Sequence, residues 1–247
     1  LANLYLNRFD QWFSERAMLD NKTARWRQRK EGGANFLMVR YADDFVIVSN
    51  GTKEETLAFK QEVKEWMDRE LRLTLSDEKT KVTHLRDGID FLGFTFKLTT
   101  AKSTGRECVT HYPSTESVER AVRRIHDITD RRTLLKSPED VIDALNSFQR
   151  GWGEYFRHSS GKRALRFVGS RSYMRMWAWL QAKSGKRHGW REVKSRYGRD
   201  NTWEVNGTRL LILQTMKIEY PRHRNIPNPF LMGHTDSLDH GHYDPFL

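Results

Sequence analysis

The stretch Phe36-Leu-Met-Val-Arg-Tyr-Ala-Asp-Asp-Phe-Val-Ile-Val-Ser49 decides the fold. Two apolar runs, rich in the Val, Ile, Phe and Tyr that favour strands, flank Tyr41-Ala42-Asp43-Asp44. The acidic pair falls where a tight turn belongs, which predicts a β-hairpin with two carboxylates at its tip. Successive strand side chains point to opposite faces, so Asp43 and Asp44 cannot both face one site in the same way. One can meet a metal while the other braces the turn or reaches a second ligand. Hard cations such as Mg²⁺ take carboxylate oxygens, usually one or two together with substrate phosphates. The same residues would also make an ordinary surface turn, because Asp is a common turn residue.

Upstream, Leu1, Leu4, Tyr5, Phe9, Trp12 and Phe13 recur at helical spacing and predict a helix to about Ala17, with Asp10, Glu15 and Arg16 outside the stripe. The first residue is not Met and no N-cap precedes this helix, so the sequence is expected to enter in the middle of a fold. Arg25, Arg27, Arg29 and Lys30, ending at Glu31-Gly32-Gly33, read as a basic loop. It is either a solvated charge run or a contact to a nucleic-acid backbone. Downstream, Thr52-Lys-Glu-Glu55 is a capping-box pattern. Leu57, Val63, Trp66 and Met67 carry that helix to about Glu70. Leu71–Leu75 and Lys81–Leu85 read as short strands, with Lys79 in the turn between them beside Asp77 and Glu78. Ile89–Leu98 alternates as a strand or hairpin, in which Gly93 allows another backbone to approach. Glu107–His111 returns as a strand.

Pro113 marks a boundary. Val118, Ala121, Val122, Ile125 and Ile128 form one helical stripe, with Arg120, Arg124 and Arg131 on another side. Ser137-Pro138-Glu139-Asp140 is a helix start, with Ser at the N-cap and Pro at the first helical position. That helix runs on through an apolar stripe of Val141, Ile142, Leu145, Phe148, Trp152, Tyr155 and Phe156. Gly151 and Gly153 each weaken it by about 1 kcal/mol against Ala, so something passes close there or the helix ends nearby. A third helix is expected from Lys162 to Ala182.

Charge separates the two parts. Residues 1–98 carry 17 Lys and Arg against 16 Asp and Glu, whereas residues 99–247 carry 26 against 16. The first part is balanced, and the second holds nearly all of the net +11, which argues for a catalytic module followed by a polyanion-binding one. Residues 157–199 contain 13 Lys and Arg and a single acid, Glu192, interleaved with aromatics. Basic side chains neutralise phosphates and aromatics can stack on unpaired bases. Arg163, Arg166, Arg171, Arg175, Lys183, Lys186, Arg187 and Arg191 are therefore the candidate RNA contacts, whereas Tyr173 and Trp177, four residues apart, are expected in the core. The one cysteine, Cys108, excludes an internal disulfide or a Cys-pair zinc site and fits a reducing compartment. No apolar run approaches the roughly 18 residues of a membrane span. His234, Asp236, Asp239, His240, His242 and Asp244 near the end have spacing that would suit a metal, but read better as a polar tail.

In that order and spacing, the Tyr41-Ala42-Asp43-Asp44 hairpin, Leu73–Val82 and Phe91-Leu92-Gly93-Phe94 resemble three successive palm motifs of reverse transcriptases. Gly151-Trp152-Gly153-Glu154-Tyr155-Phe156 resembles the thumb region of group II intron reverse transcriptases, or maturases. The resemblance spans nearly the whole chain. It implies an α+β fold: a partial palm over residues 1–112, with an antiparallel sheet and helices, then an all-α thumb-like bundle with a basic surface over 113–226. Residues 227–247 would be a tail. The implied activity is RNA-directed DNA synthesis with Mg²⁺ in a two-metal site held partly by Asp43 and Asp44 and partly by an upstream segment of the family. Lys79 would approach the leaving pyrophosphate, Tyr41 and Ala42 the primer terminus or nucleotide, and Phe91, Leu92 and Gly93 would grip the primer. The implied partners are the intron RNA, an RNA template on a DNA primer, and a DNA target, in a bacterial cytoplasm or an organelle. The family's upstream metal-binding Asp, template-positioning loop and fingers have no counterpart here, so an N-terminal half is expected in cis or in trans. Two other readings stay open: an RNA-binding maturase module without polymerase activity, and a reverse transcriptase serving defence or a CRISPR system.

Overall fold

The expected hairpin forms in the computed structural model, which describes residues 2–19, 22–101, 105–185 and 189–219. Strand β1 (Phe36–Tyr41) pairs antiparallel with β2 (Asp44–Ser49), and Tyr41 lies opposite Asp44. Ala42-Asp43 is left as a two-residue turn. The described residues fall into two compact units that divide between Val82 and Thr83.

In the first unit, helix α1 (Ala2–Ala17) and helix α3 (Lys53–Trp66) bury an aromatic core with one face of the hairpin. Phe9 and Phe13 are fully buried, with Leu6, Phe59, Val63 and Trp66 around them. Trp12 stacks on Trp66 and Phe36 on Phe59, with ring centroids 4.8 and 4.0 Å apart. Phe36 and Met38 face this core, so their neighbours Leu37, Val39 and Tyr41 are turned outward and exposed. The α1 stripe differs from expectation. Leu4 is exposed, because at 100° per residue it lies roughly 140° from Phe9. Tyr5 stays on the stripe side, and its hydroxyl donates to the Leu71 carbonyl at 2.5 Å.

Thr52 caps α3 as expected: its Oγ1 accepts from the Glu55 amide, and Glu55 Oε2 accepts from the Thr52 amide. Two expectations fail in this unit. The basic segment is a helix, α2 (Lys22–Lys30), not a loop. Leu71–Leu75 and Lys81–Leu85 are not strands. Instead α3 runs into a π-helical turn at Met67–Leu71 that ends on Arg72 at φ +51. Among the described residues, the Leu-x-Leu-x-Leu alternation that suggested a strand there pairs with no neighbouring strand.

The second unit opens with an antiparallel sheet in the order β3 (Ile89–Phe91), β4 (Phe94–Thr100) and β5 (Glu107–Pro113). Helices α4 (Thr115–Ile128), α5 (Pro138–Phe156) and α6 (Lys162–Ser184) follow at the expected places. Ser137 Oγ accepts from the Asp140 amide at 3.1 Å, which confirms the start of α5. Ile125, Ile142, Leu145, Leu165, Val168 and Met176 form the fully buried core between these helices. The bundle is not all-α. After α7 (Trp190–Tyr197) the chain makes a small antiparallel sheet of β6 (Gly198–Arg199), β7 (Thr202–Val205) and β8 (Thr208–Arg209), and Trp203 is fully buried. Helix α5 continues through both of its glycines. A Cβ on Gly153 would sit 2.7 Å from Met216 Sδ and 2.9 Å from a Leu213 methyl, whereas Gly151 faces open space. The close approach expected from sequence occurs at one of the two glycines only.

Candidate functional site

The hairpin tip is held by a side chain one residue before Tyr41. Arg40 points back to the core side and meets Asp10 of α1, its Nε donating to Asp10 Oδ1 at 2.8 Å and a second nitrogen to Asp10 Oδ2. Its remaining nitrogen donates to Asn3 Oδ1 and to the Ala42 carbonyl. Both side chains of the ion pair are about nine-tenths buried, 12% and 13% exposed. The hydrogen bond to Asp10 raises the Arg40 pKa still further above its ordinary value. This brace fixes the turn whose first residue, Ala42, takes φ +55, a left-handed value that non-glycine residues seldom adopt.

Asp43 lies in that turn. Asp44 opens β2 opposite Tyr41, so the two side chains share the open face of the hairpin. All three residues are exposed. Among the described residues neither carboxylate has an ion-pair partner, and no three His, Cys, Asp or Glu side chains converge to hold a metal. The donors at the tip are hard carboxylate oxygens, the type that Mg²⁺ takes one or two at a time. Lys79, in the same unit, is the exposed last residue of a turn, its amide donating to the Ser76 carbonyl. Its neighbour Asp77 bridges Lys64 at 2.8 Å and Lys60 at 3.7 Å, and the Lys64 hydrogen bond holds that carboxyl below its ordinary range.

In the second unit, Phe91-Leu92-Gly93-Phe94 is the tight corner between β3 and β4. Leu92 and Gly93 both take positive φ, +49 and +78, the combination that two-residue hairpins favour. Leucine is an unusual occupant of such a position, and three donors hold it there. The Ser114 amide and Ser117 Oγ, at the start of α4, donate to the Gly93 carbonyl at 2.8 and 3.0 Å. From α5 the Tyr155 hydroxyl donates to the Leu92 carbonyl at 2.8 Å. The Phe94 ring packs on Tyr155 and Phe156. Two sequence blocks about sixty residues apart therefore form one structure. The sequence pattern puts Tyr155 on the apolar stripe of α5, but it is exposed and its hydroxyl serves this corner. The pattern gives Ser117, Arg40 and Asp10 no role. The only signal was the aromatic pair Tyr155-Phe156 at the end of an amphipathic helix.

The basic residues divide by environment. Arg163, Arg166, Arg171 and Arg191 are exposed and, among the described residues, have no acidic partner. Arg171 lies over the exposed ring of Phe167 at 5.0 Å. Arg175 and Lys183 are held instead by backbone. Arg175 donates to Thr129 Oγ1 and the Thr129 carbonyl, both at 3.0 Å, at the end of α4. Lys183 donates to the Leu134 and Lys136 carbonyls at 2.8 and 2.6 Å. Lys186 and Arg187 lie outside the described residues, as do the His and Asp residues of the tail. His126, on the exposed side of α4, has its pKa lowered by burial and then by the positive charge of Arg175 and Arg171 of α6. Tyr173 and Trp177 are half-buried, Tyr173 stacked on Trp203 and Trp177 edge-on to Trp190, as expected of core.

Comparison with known proteins gives the same order of parts. The family model described as reverse transcriptase (RNA-dependent DNA polymerase) matches residues 1–96, and that described as group II intron, maturase-specific domain matches residues 118–198. Over 108 residues the chain is 33% identical to Protein YkfC of Escherichia coli (strain K12), a match covering 38% of this chain and 28% of that protein. Over 60 residues it is 40% identical to Group II intron-encoded protein LtrA of Lactococcus lactis subsp. cremoris, covering 24% of this chain and 10% of that protein. The same figures hold for LtrA of strain MG1363. The matched stretches thus span less than a third of the length of these relatives. The carboxylate hairpin and the Leu92-Gly93 corner lie inside the first matched region and the cationic helices inside the second, and the chain belongs to the group II intron reverse transcriptase/maturase family.

Proposed function

We propose that this chain acts within a longer group II intron-encoded protein, supplying the carboxylate hairpin of an RNA-directed DNA polymerase and a helical surface that binds the intron RNA. The observation that carries the reading is the pair of exposed carboxylates at a braced turn, without an ion-pair partner among the described residues, in a chain matched by both family models. Asp43 is the first metal ligand in this reading and Asp44 the second candidate. When bound, Mg²⁺ would neutralise charge on phosphoryl oxygens during nucleotide addition. Arg40 keeps the turn in place by holding the Ala42 carbonyl. Lys79 is a candidate proton donor to the pyrophosphate, since an ammonium can act as a general acid. The Leu92-Gly93 corner, fixed by Tyr155 and Ser117, would present backbone to the primer strand. Arg163, Arg166, Arg171 and Arg191 would neutralise phosphates of the intron RNA, to assist splicing and mobility. The template–primer duplex and the DNA target are the further partners in this reading.

RNA affinity of the full chain as a function of salt tests the binding half. Removing one cation that neutralises a phosphate should flatten the log–log slope by roughly 0.7–0.9. Arg163→Ala, Arg166→Ala, Arg171→Ala and Arg191→Ala should each do so without loss of folding. Arg175→Ala and Lys183→Ala should lower thermal stability, because they release helix and loop carbonyls. An RNA affinity that hardly changes between low and moderate salt would remove the phosphate-binding role.

A further inference from the structure

Helix α2 (Lys22–Lys30) reads Lys-Thr-Ala-Arg-Trp-Arg-Gln-Arg-Lys and contains no acid. Its described side chains sort cleanly around the axis. Ala24 and Gln28 are half-buried, and Gln28 Nε2 donates to the Ala34 carbonyl at 2.8 Å. Asn35 Nδ2 donates to the Arg25 carbonyl at 3.0 Å and ties the helix to the start of β1. Arg25, Arg29, Trp26, Lys30 and Arg27, in that order around the helix and with Thr23 between the last two, span the remaining arc of roughly 200° at 3.6 residues per turn. All five are exposed. Trp26 stands at the centre of the arc, 60% exposed, with Lys30 Nζ 4.9 Å from its ring centroid. Among the described residues none of the four cations is ion-paired. Trp26 belongs to neither buried core cluster of the described residues, and the inward face of the helix is that of Ala24 and Gln28.

We propose that α2 is a contact for unpaired nucleic acid: the Trp26 ring stacks on a base, and Arg25, Arg27, Arg29 and Lys30 neutralise the flanking phosphates. Stacking on an aromatic ring suits any base, and phosphate neutralisation suits any sequence, so the contact is sequence-tolerant. A membrane surface is a poorer fit, because an interfacial helix needs a broad apolar face and α2 has only one exposed apolar ring. A duplex is a poorer fit too, since its bases are already stacked and cannot engage the ring. The residues of this site belong to the first compact unit, and the basic residues of α4 and α6 to the second.

The test is binding of the full chain to a short unstructured RNA, the DNA of the same sequence, and the blunt duplex, with polyglutamate as an acidic-polypeptide control. The same set is measured for Trp26→Ala, Trp26→Phe and the double variant Arg25→Ala/Arg29→Ala, each also in an Arg163→Ala/Arg166→Ala background. Trp26→Ala should weaken single-strand binding roughly ten-fold and leave duplex binding unchanged, while Trp26→Phe should retain most of the affinity. The double variant should flatten the salt slope by roughly 0.7 for each phosphate that is no longer neutralised. The loss should be the same in either background, which separates this contact from the surface on α6. Comparison of the RNA and DNA arms identifies which strand α2 takes. Unchanged single-strand binding by Trp26→Ala, an equal loss on the duplex, or a parallel loss of polyglutamate binding would overturn the proposal.

Discussion

The Tyr155 hydroxyl donates to the Leu92 carbonyl across 63 positions of sequence, at 2.8 Å, and fixes a corner whose two central residues both have positive φ. Tyr155→Phe keeps the ring on Phe94 and removes only this bond, so it should lower stability by about 1 kcal/mol. Gly93→Ala should cost more, about 1–3 kcal/mol, because it combines a left-handed φ with a Cβ placed 2.8 Å from Ser117 Oγ. Thermal unfolding of the two variants measures both. A Gly93→Ala protein as stable as the parent would show that the corner is not confined as described.

The Arg40–Asp10 pair should behave as a coupled unit, being close to fully buried and doubly hydrogen-bonded. Either Arg40→Met or Asp10→Asn alone should destabilise by about 2–4 kcal/mol, since each leaves its partner without compensation. Arg40→Lys should rescue little, because an ammonium cannot span both carboxylate oxygens and the Ala42 carbonyl. A double-mutant cycle in chemical denaturation gives the coupling, and additive losses would mean that the two residues act independently.

Two glycines two residues apart on α5 should respond with opposite signs. Gly151→Ala gains helix propensity, about 1 kcal/mol, and meets no neighbour. Gly153→Ala gains the same propensity but drives a methyl against Met216 and the fully buried Leu213, which should outweigh it by about 1–2 kcal/mol. Equilibrium unfolding of both variants checks this, and stabilisation of both would mean that residues 213–216 do not pack on the helix.

His126 should make stability and RNA affinity depend on pH in opposite directions. Burial, with Arg175 and Arg171 nearby, lowers its folded pKa below the ordinary 6.5. The unfolded chain therefore takes up a proton first as pH falls through 6.5, and folding stability declines from there toward the folded pKa. A phosphate bound at Arg171 would cancel part of the positive field and raise that pKa, so RNA binding takes up protons and tightens on acidification. Titrations of stability and affinity between neutral and mildly acidic pH should show both trends, and His126→Gln should flatten them.

What could be read from sequence, and what could not, follows from the range of each signal. The hairpin, the Thr52 and Ser137 caps and the buried stripes of α4 and α5 depend on residues within one or two turns of each other, and each is where its pattern placed it. Helix α2 was missed because helical periodicity is read from apolar residues, and its face is made of arginines. Leu71–Leu75 was misread because alternation signals a strand only where a second strand can pair with it. The basic stretch was legible as charge, but not in its division of labour. Nothing local distinguishes Arg175, held by Thr129, from Arg171, which lies over the exposed ring of Phe167. The contacts at the two turns, Arg40 to Asp10 and Tyr155 to Leu92, join residues 30 and 63 positions apart and leave no local mark.

The central claim is that the exposed carboxylates of the braced hairpin serve DNA synthesis while the RNA is held elsewhere. Primer extension and RNA filter binding on one protein test it most directly, using Asp43→Asn in a polymerase that carries the remaining length of the family. Asparagine keeps the size and turn preference of aspartate but removes the anionic metal ligand. The account predicts that extension on an RNA template falls to background with Mg²⁺ present, while RNA affinity and its salt dependence match the parent. Retained DNA synthesis would contradict it and reduce Asp43-Asp44 to an ordinary turn.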